Sequence, residues 1–210
     1  MTASIFENYH NGGTCTVSYI MVVVLGVIQG VAEFLPISSS GHLTLFQHFF
    51  GMSEPDNLFN ILLHFATLIA VCVYYWRDIW EMILEFFRFF GDLFSRTPSR
   101  GEPPAARRQI LLLIVATLPL FLVLPIKDKV EAVGNYPVAV SCILLLTGVV
   151  LFTSDRMAKG RKNARNTTLL DALLIGVAQG FATLPGLSRS GSTIAAGTAL
   201  GLDRKFAVRF

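Results

Sequence analysis

A stretch near the start of the chain is written again near its end. Gly26-Val27-Ile28-Gln29-Gly30-Val31-Ala32 returns as Gly176-Val177-Ala178-Gln179-Gly180-Phe181-Ala182, and Ser38, Ser40 and Gly41 return as Ser188, Ser190 and Gly191. Over positions 26–41, eight of 16 residues are identical at a constant offset of 150. Chance would give about one, so the chain carries two copies of one structural unit and any fold must accommodate both.

The surroundings of the copies set the solvent. Of the 210 residues, 53% are hydrophobic and only 15% charged, with a mean hydropathy of +0.58. A soluble domain carries about a quarter charged residues. Three runs, 58–76, 109–126 and 137–154, hold 18 or 19 residues each with no acid or strong base. Roughly 20 residues at about 1.5 Å rise cover a hydrocarbon core, so these are expected spans. Pro119 is tolerable there because neighbouring helices can re-satisfy the freed carbonyl. The first base is Arg77, so the charged region of a cleavable signal is missing.

Lys and Arg collect on the cytoplasmic side of membrane proteins. Arg96, Arg100, Arg107 and Arg108 precede the second span, and Arg156, Lys159, Arg161, Lys162 and Arg165 follow the third. Both clusters fit inside, while Lys127 and Lys129, balanced by Asp128 and Glu131, fit outside with Glu54 and Asp56. Residues 80–94 mix apolar positions with Glu81, Glu85, Arg88 and Asp92, which predicts an amphipathic helix on the cytoplasmic surface. This map places 14 of the 17 basic residues inside, two outside, and Arg189 at neither surface. The net charge of +3 is thus accounted for by topology and gives no reason to expect nucleic acid. Cys15, Cys72 and Cys142 lack ligand spacing and are expected to be free.

The two copies then enter from opposite faces. The fold class expected is an all-α polytopic membrane protein with an inverted-topology repeat, whose two re-entrant helix–loop–helix hairpins meet in the bilayer. The whole chain, 1–210, forms a single membrane domain. Repeat 1 covers about 17–108 with its hairpin at 17–50, and repeat 2 starts near 167 with its hairpin at 169–203. Each first helix ends at Leu35-Pro36 or Leu184-Pro185-Gly186. The second helix is expected to begin near His42 or Thr193, with Ser40 or Ser190 as N-cap. Gly26, Gly30, Gly176 and Gly180 suggest close helix packing. A counterpart of the first span would begin near residue 208, so the natural protein is expected to continue beyond Phe210.

Glu33 is the one acid inside an apolar segment and Arg189 the one base. Ionisable groups at such depth are functional candidates. Gln29 and Glu33 share a helix face that points at the following loop. Helix N-termini and the hydroxyls of Ser38, Ser39, Ser188, Ser190 and Thr193 suit an anion, and Arg189 matches phosphate oxygens bidentately. Ser40 belongs to the same loop as a binding candidate. His42 follows Ser39 by three residues and can move protons near neutral pH, while Glu33 could orient His42 or hold a divalent cation. His64 is expected to be a satisfied core histidine.

Gln29-x-x-x-Glu33 with Pro36-x-Ser38-Ser39-Ser40-Gly41-His42 resembles the first signature of the bacterial undecaprenyl-diphosphate phosphatases of the bacitracin-resistance type. Pro185-Gly186-x-Ser188-Arg189-Ser190-Gly191-x-Thr193 resembles the second. The resemblance implies hydrolysis of undecaprenyl diphosphate to undecaprenyl phosphate and inorganic phosphate. That reaction recycles the lipid carrier for peptidoglycan synthesis and confers bacitracin resistance. It also implies a divalent cation (Mg or Ca), an inner-membrane location and a site opening to the periplasm. Gln29 stands where many members have Glu, which leaves Glu33 the larger role. Partners are then the polyprenyl diphosphate and membrane lipids, with a homodimer left open.

The mechanism expected has Ser39 as nucleophile, His42 as base and later acid, Glu33 orienting His42 or binding metal, and Arg189 stabilising the phosphoryl group. Attack by His42 or by activated water remains open. The competing class is a transporter or flippase for a phosphorylated polyprenyl lipid. The acid-phosphatase superfamily, which also uses Ser-Gly-His and Ser-Arg, needs a second His after the Arg, and none follows Arg189.

Overall fold

In hydrocarbon every backbone N–H and C=O must find its partner within the chain, and the helix is the local solution. The computed structural model describes residues 19–50, 57–94, 105–157 and 160–210, and these are helical almost throughout. In order they form α1 (Tyr19–Phe34), α2 (Ser39–Phe49), α3 (Asn57–Tyr74), α4 (Trp76–Phe94), α5 (Ala105–Val123), α6 (Lys127–Glu131), α7 (Pro137–Met157), α8 (Leu169–Phe181), α9 (Arg189–Ala199) and α10 (Arg204–Arg209). No β-strand occurs among the described residues, only an isolated bridge between Lys162 and Leu202. Glu54, Asp56, Arg96, Arg100, Lys159, Cys15 and the proposed start of repeat 1 lie outside the described residues.

Two helical runs, Ala105–Asn135 and Pro137–Met157, are long and apolar enough to cross a membrane, and the pair α3–α4 passes as a third despite an 80° bend. Their outward faces stay apolar, as at Ile61, Leu62, Leu145 and Val149. This is an integral membrane protein. The expected spans at 109–126 and 137–154 fall inside the first two runs. The third stops after Tyr74, where apolar sequence gives way to Trp76-Arg77-Asp78 and the chain turns. Aromatic residues gather at such membrane–water boundaries. The turns at 124–135 form short helices rather than an open loop.

The amphipathic helix predicted for 80–94 exists as α4 but begins four residues earlier. Glu85 does not face water as a surface acid would. It is 4% exposed, bonded to Arg88 at 2.6 Å and paired with Arg107 of α5 at 3.5 Å. Asp171 is likewise buried, 2.9 Å from Lys162. Glu33 is therefore not the one acid withdrawn from solvent. The other two lie at helix ends and surfaces by sequence and are buried only by tertiary packing. His64 also departs from expectation, being exposed with Nδ1 bonded to Asn60 O. Cys72 and Cys142 are free.

Helix packing explains only some of the repeated glycines. A Cβ on Gly176 would lie 2.3 Å from Ala116 O, so α8 rests directly on the α5 backbone. Gly180 faces Val123 and Pro119 at ordinary contact distance, Gly26 reaches only Leu63, and Gly30 has open space. Gly176→Ala must push α8 and α5 apart and is expected to cost about 1–3 kcal/mol. Gly30→Ala is expected to cost nothing of the kind. Thermal unfolding in detergent should separate the two variants by several degrees.

Candidate active site

Both motif loops are short breaks between two helices, and both solve the cap in one way. Ser38 precedes α2 and its Oγ accepts from Gly41 N at 3.4 Å; Ser188 precedes α9 and accepts from Gly191 N at 3.0 Å. Ser38 Oγ lies 3.4 Å from Ser40 Oγ, and Ser188 Oγ 3.3 Å from Ser190 Oγ. The helices therefore begin at Ser39 and Arg189, not near His42 and Thr193, and the caps are Ser38 and Ser188 rather than Ser40 and Ser190. Serine one turn ahead satisfies the exposed N–H groups that any later start would have left bare. Ser39 and Arg189 thus occupy the same first-turn position in the two copies.

The loops touch. A Cβ on Gly41 would fall 2.8 Å from Gly186 Cα, and one on Gly191 would fall 2.8 Å from Pro36 O. Only glycine allows that approach. Ser38 is the one non-glycine residue with positive φ, at 71°, among the described residues. Such a conformation costs about 1–3 kcal/mol and persists where surrounding structure imposes it.

The first loop gathers a carboxylate, a hydroxyl and an imidazole. Ser39 Oγ donates to Glu33 Oε2 at 2.5 Å, and Gln29 Nε2 donates to the same oxygen at 3.0 Å. Gln29 is 1% exposed, and its Oε1 is buried with no partner among the described residues. His42 takes a different direction from the one expected. Its Nδ1 lies 2.8 Å from Ser38 O, and no bond joins it to Ser39 or Glu33 among the described residues. A carbonyl oxygen only accepts, so Nδ1 carries a proton in this contact. Proximity in sequence put His42 beside Ser39, but the helix turns its ring back onto the cap carbonyl.

The second loop is organised around cation and backbone. Arg189 is exposed rather than buried, and it makes no ion pair among the described residues. It lines a cavity of about 320 Å³ with Thr183, Phe121, Leu124, Lys127 and Glu131. Thr183 stands at the position that Glu33 holds in the first copy. Thr193 donates its hydroxyl to Arg189 O and Ser190 O, so its proton is engaged within α9. Ser40 and Ser190 are exposed at the two helix starts.

Thr147 of α7 was not singled out from sequence. It is 3% exposed, donates to Gly186 O at 2.9 Å and accepts from Ser188 N at 3.2 Å. The available signal was a hydroxyl in the middle of an apolar span, and such a group usually faces another helix. Thr147→Val leaves two buried backbone groups unpaired, at about 1–3 kcal/mol each. A lower melting temperature and weaker activity are expected, with Thr147→Ser restoring both.

A hard divalent cation takes oxygen ligands and often completes its shell with substrate phosphates. One carboxylate, Glu33, beside the partnerless Gln29 Oε1 fits that requirement. No cluster of three or more His, Cys, Asp or Glu that could hold an ion by itself exists among the described residues.

The chain as a whole is similar to known proteins. The chain is 38% identical to the undecaprenyl-diphosphatase of Methanosphaera stadtmanae, over 90% of this chain and 69% of that protein. It is 38% identical to the undecaprenyl-diphosphatase of Moorella thermoacetica, over 91% and 69%. With that of Syntrophotalea carbinolica it shares 41%, over 92% and 70%. Residues 22–210, which include both motif loops and every helix between them, match the family described as bacitracin resistance protein BacA, and the chain belongs to that family.

Proposed function

We propose that the protein hydrolyses undecaprenyl diphosphate to undecaprenyl phosphate and inorganic phosphate, renewing the lipid carrier of peptidoglycan synthesis and so conferring bacitracin resistance. The observation that carries this reading is the 2.5 Å contact of Ser39 with Glu33 inside the motif that resembles the family's first signature. A nucleophile hydrogen-bonded to a base is the arrangement that covalent phosphoryl transfer needs. An anion carrier has no use for one.

In the proposed reaction Ser39 Oγ bonds to the terminal phosphorus as its proton passes to Glu33 Oε2. The bond from that phosphorus to the bridging oxygen breaks, and the oxygen leaves with its electron pair within undecaprenyl phosphate. Water then attacks the phosphoserine, giving a proton to His42 Nε2, and Ser39 recovers its own from Glu33. His42 serves the second step here, and Glu33 replaces it as base for the first. Arg189 with the α2 and α9 N–H groups stabilises charge on the phosphoryl oxygens. Glu33 and Gln29 would hold a divalent cation (Mg or Ca), which when bound neutralises phosphate charge.

The contact between Gly41 and Gly186 supports two re-entrant hairpins meeting at mid-membrane, related as an inverted repeat. The distribution of basic residues supports two cytoplasmic basic clusters, and the family resemblance supports an inner-membrane protein whose site opens to the periplasm.

Purified full-length protein given undecaprenyl diphosphate in detergent should release one inorganic phosphate per lipid. No release, with transfer of intact lipid across vesicle bilayers, would establish a transporter instead. Full release by both His42→Ala and Arg189→Ala would remove the catalytic assignment. A trapped phosphoryl label on His42 rather than Ser39 would overturn the nucleophile.

A further inference from the structure

The cavity beside Arg189 has an apolar side that the proposed chemistry leaves unused. Leu120, Phe121, Leu124 and Val130 share its lining with Arg189 and Thr183. A second cavity of about 320 Å³ continues along the outward face of α5 past Ile110, Leu113, Ile114 and Leu118. Thr117 and Phe121 line both, so the two meet at one turn of α5. The Thr117 hydroxyl donates to Leu113 O at 2.7 Å, so its proton is already taken at this junction.

Two other directions out of the first cavity do not suit an apolar chain. Towards α8 the helices are in contact, a Cβ on Gly176 falling 2.3 Å from Ala116 O and one on Gly180 3.5 Å from Val123 Cγ2. Towards the turn after α5 stand Lys127 and Glu131, an exposed ion pair 3.4 Å apart. A chain laid over that pair would strip water from two charges. Along α5, Ile114, Leu118 and Phe121 present exposed hydrocarbon, and covering such surface is favourable in proportion to its area.

We propose that the face of α5 between Phe121 and Ile110 holds the first isoprene units of the substrate's prenyl chain, which leaves the Arg189 cavity between Thr117 and Phe121. The inference rests on the hydrolase reading and adds to it the residues that distinguish a long chain from a short one. From residue 110 to residue 121 the helix rises about 16 Å, enough for a few isoprene units and far short of an undecaprenyl chain. Selection is therefore for the first units of the chain, and the remainder stays in the bilayer. In the orientation proposed above, the turn after α5 lies at the periplasmic surface. A lipid of that leaflet then brings its diphosphate in beside Arg189, and its chain descends α5 towards the bilayer centre.

Phosphate release by full-length protein from dimethylallyl, farnesyl and undecaprenyl diphosphates, at one fixed detergent concentration, tests this through kcat and KM for each. Thr117→Trp fills the junction of the two cavities. It should raise KM for the farnesyl and undecaprenyl substrates, relative to that for dimethylallyl, by about tenfold, the equivalent of losing a few buried methylenes. Phe121→Ala, which removes the ring from both cavities, should move the same ratio in the same direction by about fivefold. Leu122→Trp places equal bulk on α5 at an exposed position outside both cavities, and should leave the ratio where it was. A ratio unmoved by both Thr117→Trp and Phe121→Ala would overturn the proposal, as would an equal shift caused by Leu122→Trp. In either case release by the unaltered protein would leave hydrolysis standing, whereas no release from any of the three substrates would overturn both.

Discussion

Replacing Glu33 with glutamine is expected to lower phosphate release from undecaprenyl diphosphate by about a thousandfold or more, a loss of about 4 kcal/mol of transition-state stabilisation. The substitution keeps size and shape. Glutamine can still accept from Ser39 through its amide oxygen, so the loop should retain its form. What disappears is the basicity that takes the Ser39 proton, together with the negative charge that would hold a cation. Gln29 sharpens the point. Its Nε2 donates to Glu33 Oε2, and its own oxygen is already neutral, so the corner has no second carboxylate to take over. Single-turnover phosphate release, paired with thermal unfolding in detergent, checks both halves of the expectation. An unfolding midpoint close to the unaltered protein with near-full release would remove Glu33 from the chemistry. Adding a carboxylate at Gln29 in the same background should recover some of the rate, because the two side chains meet on one face of α1.

How much of the molecule is legible in its sequence differs between elements. The repeat, the long apolar helices and the facing of Gln29 and Glu33 follow from periodicity and composition, which act along the chain. Several serines could serve as caps, so sequence points two residues too late, and only the contact between loops selects Ser38 and Ser188. The partner of Ser39 is hidden in sequence for a related reason. His42 is close in sequence and Glu33 lies across the break, but the turn at Pro36 and the positive φ of Ser38 fold the hydroxyl back onto Glu33. Glu85 is recognisable only once α5 is set beside α4, and Thr147 offers in sequence no more than a hydroxyl within an apolar span.

Arg189→Ala is expected to reduce the rate of phosphoryl transfer by about a thousandfold to ten-thousandfold, the range over which an arginine stabilises the charge of a transferred phosphoryl group. The expectation rests first on its position. Arg189 opens α9 as Ser39 opens α2, and the glycine contacts hold those two helix starts against each other. The first copy has at this position a serine hydrogen-bonded to Glu33, the nucleophile proposed above. The second uses it for a guanidinium with Thr183 behind it, so no carboxylate of its own helix pair neutralises the charge. Nothing else among the described residues pairs with it either, and Lys127 shares its cavity while leaning towards Glu131 at 3.4 Å. An exposed cation with no ion pair among the described residues suits an anion that arrives from outside. Arg189→Lys should keep the charge but lose the planar fork, and so recover only a small fraction of the loss. The fall should appear mainly in kcat, because charge spreads over the phosphoryl oxygens most fully at the transition state. A change confined to KM would mean that Arg189 merely captures the diphosphate. A loss below about tenfold would place the phosphoryl group with the helix N–H groups instead.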